Sequence, residues 1–284
     1  MKVKVYAKLN LTLQVGAKQG AFHSIDSVAT SVDIYDTVEV VKRPNAHINV
    51  SGVPSVAREQ NTAYKAAHAL AMGGVDITVH KGIPFGGGLG GSSADAAAVI
   101  YCMCKLFNAD IYSPKIHQLC TELGSDISFM LFGGLGRLTG KGDEVSYYKL
   151  AAPLYFALTT FDASMSSGEI YSSFDKLGVT RDISHSTTSD TVLNLLQQGA
   201  SGKAITLFGN DLQQATLAVS NYASDYLRFV RSHNLRCNMT GSGSAHYVAC
   251  VTKSDAEKVC ELLNANGFST VVCKSVNCGI EEID

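Results

Sequence analysis

Pro84-Phe85-Gly86-Gly87-Gly88-Leu89-Gly90-Gly91-Ser92-Ser93-Ala94-Asp95 is the part of this 284-residue sequence that decides the fold. Five of the six positions from Gly86 to Gly91 are glycine, a conformational cost that an ordinary turn does not require. Glycine permits left-handed backbone angles and lets neighbouring amide groups converge without Cβ atoms between them. A helix is predicted over residues 92–107 directly afterwards, and amides at the start of a helix favour anions. The segment therefore predicts a phosphate site, with a triphosphate as its natural ligand.

Three other interpretations of this segment compete on the residues alone. The Walker A pattern fails, because no Gly-Lys-Ser/Thr closes the loop. Gly86, Gly88 and Gly91 formally match a dinucleotide fingerprint, but no acidic residue ends a strand about 20 positions later. A glycine turn that only packs a helix tightly on a sheet is the structural alternative.

Strict alternation marks the start of the chain. From Val3 to Val15 every second residue is apolar, which predicts one long, half-buried strand. Lys8 and Asn10 share its polar face, which on this pattern alone would be a solvated face. A second β-rich stretch is predicted over residues 28–41.

The rest of the chain mixes strands and helices without a regular βαβα alternation. Asn61 is predicted to cap a helix that ends before Gly73-Gly74, and two further helices are predicted over residues 113–124 and 127–132. Residues 178–189, rich in Ser and Thr, are predicted to form an exposed loop. The order strand, turn, strand, helix, strand is predicted for residues 236–274. The pattern favours an α+β fold over a doubly wound sheet.

Charge and cysteine content exclude several classes of protein. With 23 Lys and Arg against 25 Asp and Glu, the net charge is −2, which offers no basic field for nucleic acid or an anionic membrane. No apolar run reaches the roughly 18 residues of a membrane helix, and no signal-peptide core follows Met1. The eight cysteines include no Cys-x-x-Cys pair, which argues against a zinc site and favours reduced thiols in a cytoplasmic protein.

The complete segment from Pro84 to Ala94 resembles the second motif of the GHMP kinases, Pro-x-Gly-x-Gly-Leu-Gly-Ser/Gly-Ser-Ser-Ala. Two further segments stand in the expected order: residues 7–11 (Ala-Lys-Leu-Asn-Leu) resemble the first motif, and residues 239–245 (Met-Thr-Gly-Ser-Gly-Ser-Ala) the third. The resemblance covers nearly the whole chain. It implies an α+β fold with a ribosomal-protein-S5-domain-2-like domain over residues 1–150, a ferredoxin-like domain over residues 151–284, and the active site in the cleft between them.

The form of the first motif is similar to that of one branch, the 4-diphosphocytidyl-2-C-methyl-D-erythritol kinases of non-mevalonate isoprenoid biosynthesis. Further stretches resemble that branch: Phe22-His23, Asn61 with Ala66-Ala67, Leu123-Gly124-Ser125-Asp126, residues 167–171 and residues 209–212. The sequence departs from the branch where Ala21 replaces a glycine, Phe22 a tyrosine and Ser128 a proline, and where residues 17–20 lack an Arg-x-Asp-Gly segment.

The resemblance implies a role for each matching residue. Lys8 and Asp126 are the expected catalytic pair, with Asp126 as the general base, although the local sequence by itself favours Asp126 or Ser125 as a helix cap. ATP is expected to contact Pro84, Gly86, Gly87, Gly88, Leu89, Gly90, Gly91, Ser92, Ser93 and, near the adenine, Asn61. Mg²⁺ is expected on Ser92 or Ser93. The acceptor is expected to contact Asn10, Phe22, His23, Ser167, Tyr171, Gly241 and Ser242.

The expected acceptor is a small molecule, a polyol linked to cytidine diphosphate, and the aromatic rings of Phe22 and Tyr171 are expected to sandwich its base. The expected assembly is a monomer or a homodimer, without nucleic acid or membrane. Lys81, Asp95, His80 and Lys141 are suggestive by position only. Alternatives that stay open are another GHMP kinase acting on homoserine, mevalonate or a sugar, a non-catalytic nucleotide-binding relative, and a dehydrogenase.

Overall fold

The computed structural model describes residues 1–52, 58–178, 182–183 and 186–283. Its strands are β1 Lys2–Asn10, β2 Thr12–Gln19, β3 Phe22–Lys42, β4 Ile48–Ser51, β5 Val75–His80, β6 Leu135–Thr139, β7 Glu144–Tyr148, β8 Tyr155–Thr159, β9 Gly209–Asn210, β10 Cys237–Met239, β11 His246–Cys250, β12 Thr270–Val276 and β13 Ile280–Ile283. Its α-helices are α1 Thr62–Leu70, α2 Gly91–Leu106, α3 Pro114–Leu123, α4 Ile127–Phe132, α5 Ser167–Lys176, α6 Thr188–Gln197, α7 Ser201–Ile205, α8 Gln213–Val219, α9 Ser224–Ser232 and α10 Lys253–Ala265. The predicted α+β class is confirmed.

The long strand β3 organises the sheet, because β1, β2, β5, β6 and β12 all pair with it antiparallel. The single strand predicted from Val3 to Val15 is wrong in one respect. The chain leaves the strand at Leu11, and β1 and β2 pair with successive parts of β3. The amide of Leu11 still donates to the carbonyl of Val28, so the break redirects the chain without detaching it from β3.

The polar face of β1 is buried along its second half, contrary to a solvated face. Lys8 is 5% exposed and Asn10 is 3% exposed. The cause is the glycine segment, which lies against β1: the amide of Lys8 donates to the carbonyl of Leu89 at 3.1 Å. A lysine that loses this much hydration needs a charged or polar partner. Its burial therefore indicates that such partners surround its ammonium group.

Helices α1 to α4 cover the N-terminal part of the sheet. Alanine makes close packing possible: Ala63, Ala66 and Ala67 of α1 are fully buried, and α2 buries ten residues that include Ala94 and Ala96. The predicted cap of α1 is confirmed, since the Asn61 side chain accepts from the amide of Tyr64. These helices fix the start of α2 beside β1.

The C-terminal strands continue the same sheet in the order β10-β11-β8-β12-β3. The predicted strand, turn, strand, helix, strand order is confirmed by β10, β11, α10 and β12. A final strand, β13, was not predicted; it pairs antiparallel with β1 and returns the end of the chain to its beginning. The division into residues 1–150 and 151–284 stays a prediction.

The predicted loop over residues 178–189 falls largely outside the described residues, which leave out 179–181 and 184–185. At its end, α6 already begins at Thr188. None of the helices in the described ranges combines the length and the apolar character that a membrane span requires. Five of the eight cysteines are buried, which confirms the prediction that most of them lie in apolar surroundings.

A buried histidine is expected to make the free energy of unfolding depend on pH. Burial lowers the pKa of His246 to about 4, against about 6.5 in an unfolded chain. Between these values the unfolded state binds the extra proton. The contribution of His246 to the free energy of unfolding should therefore fall by up to about 3 kcal/mol as the pH drops from about 6.5 to about 4. Urea denaturation at several pH values between about 4 and about 6.5 measures how the free energy of unfolding changes with pH. In a His246→Phe variant, the part of this change that comes from His246 should be absent. The same pH dependence in the parent and in the variant would contradict the prediction.

Candidate active site

One cavity of about 790 Å³ is lined by residues of all three motifs. On its loop side, Gly86, Gly88 and Gly90 have φ of 70°, 74° and 77°, in the left-handed region that glycine adopts without steric cost. Gly90 immediately precedes α2, so the loop delivers its amides to the start of that helix. This geometry suits an anion.

The loop is held between the first and third motifs by backbone hydrogen bonds. The amide of Lys8 donates to the carbonyl of Leu89, and the amide of Ala245 donates to the carbonyl of Gly87 at 3.1 Å. The approach is close enough that a Cβ on Gly88 would lie 2.8 Å from the carbonyl oxygen of Gly243 and overlap that of Thr240. The glycine at position 88 is therefore required both for its φ and for this contact.

Lys8 of the first motif contacts Asp126 directly and the third motif through Asn10. Its Nζ lies 3.2 Å from Oδ2 of Asp126 and donates to Oδ1 of Asn10 at 2.8 Å. The same Asn10 oxygen accepts from the amide of Gly241 at 3.0 Å, and Asn10 Nδ2 donates to Ser27 at 2.8 Å. Both lone pairs of the Asn10 amide oxygen are thus used inside the protein, so Asn10 positions Lys8 and the third motif.

Asp126 is not acting as a helix cap. It occupies the N-cap position of α4, but its side chain makes no capping hydrogen bond, and its backbone angles are helical. The carboxylate instead reaches Lys8 while staying 31% exposed on the cavity side. A carboxylate that is held by a buried cation and is open to a cavity can accept a proton from a bound hydroxyl.

The opposite part of the cavity is aromatic. His23, at the start of β3, and Tyr171, on α5, stack with ring centroids 5.5 Å apart and planes 20° apart. Phe22 is 59% exposed, with Lys141 Nζ 5.4 Å from its ring centroid. Burial raises the pKa of Tyr171 to about 12, and the charge of Asp126 adds to the shift. The predicted sandwich between Phe22 and Tyr171 stays a prediction, since the ring stacked on Tyr171 is His23.

Two charged residues of this aromatic part were missed in the sequence. Asp175 lies one helical turn after Tyr171 and accepts a hydrogen bond from Lys18, which is the main reason that the pKa of Asp175 lies below its usual value. Its Oδ1 also lies 2.8 Å from Nε2 of His23, so the Asp175 carboxylate contacts both the lysine and the imidazole. The i, i+4 spacing from Tyr171 was the available signal.

Every predicted site residue except Asn61 lines the cavity. Ser167 and Ser242 lie with their hydroxyl oxygens 3.0 Å apart, which joins the start of α5 to the third motif. Asn61 caps α1, and the next residue, Thr62, donates to the carbonyl of Ser92 at 2.7 Å. Its expected role near an adenine therefore rests on the position of α1 beside the glycine loop, and it stays a prediction.

The donors in the cavity suit a cation that is bound chiefly by a ligand's phosphates. No group of three or more His, Cys, Asp or Glu residues that could hold a metal occurs in the described part of the chain. Mg²⁺ commonly keeps several waters and binds through one or two carboxylates together with substrate phosphates. Ser92 and Ser93 line the cavity, and the hydroxyl group of either would fit as a protein donor to a cation that is held mainly by phosphates.

Comparisons with known proteins agree with the geometry. The family described as GHMP kinases N terminal domain matches residues 61–134, from the cap of α1 to two residues past the end of α4. A 4-diphosphocytidyl-2-C-methyl-D-erythritol kinase from Arthrobacter sp. strain FB24 is 31% identical over 274 residues, covering 89% of this chain and 85% of the relative. This chain belongs to the GHMP kinase family. It is an ATP-dependent small-molecule kinase.

Two other comparisons show similarity over nearly the whole length of this GHMP kinase. A 4-diphosphocytidyl-2-C-methyl-D-erythritol kinase from Desulfitobacterium hafniense strain Y51 is 29% identical over 286 residues, covering 96% of this chain and 95% of the relative. A crystal structure of a 4-(cytidine 5'-diphospho)-2C-methyl-D-erythritol kinase superposes with a TM-score of 0.78 at 23% identity, covering 98% of this chain and all of the other. The GHMP kinase fold expected from the three motifs is thus confirmed.

Proposed function

We propose that this GHMP kinase transfers the γ-phosphoryl group of ATP to the 2-hydroxyl of 4-diphosphocytidyl-2-C-methyl-D-erythritol, in non-mevalonate isoprenoid precursor biosynthesis. The observation that carries the proposal is a single cavity with the glycine loop on one side, the Lys8–Asp126 pair in contact with it, and a stacked aromatic group beyond. The full-length similarity to kinases of that name supports the choice of acceptor. A cytoplasmic location is part of the same proposal.

In the proposed reaction, the amides of residues 86–91 hold the triphosphate at the start of α2, and Asp126 accepts the proton of the attacking hydroxyl. The acceptor oxygen forms a bond to the γ-phosphorus while the bond from that phosphorus to the bridging oxygen breaks, which releases ADP. Lys8 orients the carboxylate and the hydroxyl, and Asn10 fixes Lys8. Such catalysis consists mainly of positioning and charge stabilisation. A bound Mg²⁺ would supply charge neutralisation on the phosphates, with Ser92 or Ser93 as its protein donors.

The aromatic part of the cavity is proposed as the site of the cytosine base. Stacking on an aromatic ring is worth roughly 1–3 kcal/mol per base, and Tyr171, His23 and Phe22 supply the rings. The Asp175 carboxylate is a hydrogen-bond acceptor at the same wall. Cytosine presents an exocyclic amino donor where uracil presents a carbonyl oxygen, which a carboxylate would repel.

This arrangement predicts selective competition by nucleotides. CMP should compete with the acceptor, and UMP should compete about tenfold or more weakly, the usual range for a hydrogen bond to a charged group. Inhibition kinetics at saturating ATP measure both constants. In Asp175→Asn the preference should shrink, because an amide can also donate to uracil. Binding of neither nucleotide by a protein that binds ATP would contradict a cytidine acceptor.

An acceptor panel tests the proposed function as a whole. ATP consumption should be fastest with 4-diphosphocytidyl-2-C-methyl-D-erythritol and near background with homoserine, mevalonate and galactose. The mass of the product should exceed that of the acceptor by one phosphoryl group. Faster turnover of any of the other three acceptors would replace the proposed acceptor while leaving the kinase assignment in place.

A further inference from the structure

A buried charged cluster lies directly behind the glycine loop and takes no part in the mechanism above. Lys81, which follows β5, donates to Oδ2 of Asp36 on β3 and, at 2.9 Å, to Oδ2 of Asp95 on α2. The Asp36 side chain is fully buried, that of Asp95 is 7% exposed and that of Lys81 is 21% exposed. We name these three residues the loop-anchor cluster. Of the three, Lys81 alone lines the cavity.

The cluster ties down both ends of the loop. On the entering side, Oδ1 of Asp36 accepts from the amides of Gly82 at 2.7 Å and Ile83 at 2.8 Å, immediately before Pro84. On the leaving side, Asp95 sits in α2, which begins at Gly91. One ammonium group therefore joins the segment that enters the loop to the helix that leaves it.

Such an anchor answers a physical need of this loop. A run of glycines has more backbone freedom to lose than any other sequence, and a binding loop that must first be ordered loses affinity by the cost of that ordering. The loop's own contacts are backbone hydrogen bonds to β1 and to the third motif. Fixing residues 82–83 and α2 on either side reduces the freedom that remains when a triphosphate arrives.

The charges in the cluster are unequal, which fits a positioning role better than a purely stabilising one. Two carboxyl groups share one ammonium group, and Oδ1 of Asp95 is buried without a hydrogen-bond partner. Burial and the neighbouring Asp36 raise the pKa of Asp95 to about 7 despite the opposing effect of Lys81. A buried polar atom without a partner is destabilising. The Asp95 carboxyl group therefore lowers the stability of the fold through Oδ1 while it holds Lys81 through Oδ2.

We propose that Lys81 is a positioning residue for nucleotide binding, which acts by joining Asp36 and Asp95 across the two ends of the phosphate loop. The inference rests on the proposed role of the loop as the triphosphate site. Lys81 carries a third N–H, and its Nζ lies 3.5 Å from the position that a Cβ on Gly91 would occupy, at the start of α2. The cluster thus controls the affinity for ATP and leaves the chemical step to Lys8 and Asp126.

The test measures nucleotide affinity separately from turnover. Lys81→Met alone leaves two buried carboxyl groups facing each other and can fail to fold, so the decisive variant is Lys81→Met with Asp95→Asn, which keeps the net charge of the cluster. We expect the Kd of a non-hydrolysable ATP analogue and the KM for ATP to rise about tenfold or more. kcat and the acceptor KM should stay within about threefold of the parent. Lys105→Met, an exposed lysine at the other end of α2, should change neither constant.

Other outcomes are equally decisive. A double variant that folds and binds the analogue like the parent overturns the inference, and so does one in which kcat falls while the KM for ATP is unchanged. If the double variant does not fold, Asp95→Ala serves in its place, with the same expected rise in KM and the same contradiction if the KM is unchanged. Failure of the parent protein itself to bind the analogue would instead refute the proposed role of the loop.

Discussion

Replacing Asp126 by asparagine is expected to lower kcat by about 10²–10⁴-fold, the usual contribution of a general base. The amide cannot accept the acceptor's proton, and it gives up the ion pair with Lys8, whose ammonium group lies 3.2 Å from the carboxylate. The fold should survive, because the Asp126 side chain makes no capping hydrogen bond to α4. Steady-state kinetics with ATP and the acceptor measure the loss, and the Kd of an ATP analogue should change little.

Asp225→Asn is the matched control for this substitution. Asp225 also lies near the start of a helix, α9, and its side chain is 85% exposed, with Arg228 as its ion-pair partner. Surface pairs of this kind contribute little to stability, so kcat and the thermal midpoint should equal those of the parent. Near-normal turnover in Asp126→Asn would refute the assignment of the base.

Replacing Gly88 by alanine is expected to lower kcat/KM for ATP about 100-fold. Gly88 has φ of 74°, where a Cβ is strained by roughly 1–2 kcal/mol. In addition, the new Cβ would lie 2.8 Å from the carbonyl oxygen of Gly243 and overlap that of Thr240. Both obstacles are backbone atoms, so the loop and the third motif must separate. A misplacement of about 1 Å at a phosphate site is enough for a loss of this size.

Gly267→Ala separates strain from the effect on the site. Gly267 also has a positive φ, 85°, but apart from Gly267 and its two chain neighbours no described residue has an atom within 4 Å of the position of its Cβ. Its replacement should lower the free energy of unfolding by about 1 kcal/mol and leave kcat/KM for ATP unchanged. Equal losses of activity in the two variants would show that Gly88 acts through general stability and not through the close approach of the two loops.

Site residues that belong to a short, recognisable sequence pattern were predictable from the sequence. The glycine loop needs consecutive residues without Cβ atoms, and the alternation of β1 places Lys8 and Asn10 on one face. All of these residues line the cavity. The position of Asp126 at the start of α4 was equally visible, but local sequence favoured a cap. The structure shows that the Asp126 carboxylate pairs with Lys8, which lies 118 positions earlier in the chain, and does not cap the helix.

Features that depend on packing between distant segments were not predictable. The alternation from Val3 to Val15 continues through Leu11, so the turn between β1 and β2 leaves no trace in the pattern. The burial of Lys8 depends on the glycine loop lying across β1. Lys18 and Asp175 meet from residues 157 positions apart, and Asp36 meets Lys81 over 45 positions. Contacts of this range are set by the topology of the sheet rather than by local sequence.

A crystal structure with a non-hydrolysable ATP analogue and 4-diphosphocytidyl-2-C-methyl-D-erythritol tests the central claim most directly. The γ-phosphorus should lie between the amides of residues 86–91 and the carboxylate of Asp126. The acceptor hydroxyl should lie about 2.6–3.2 Å from that carboxylate, and the cytosine should stack on the aromatic side chains near His23. A triphosphate bound away from the glycine loop, or an Asp126 carboxylate turned away from the acceptor hydroxyl, would contradict it.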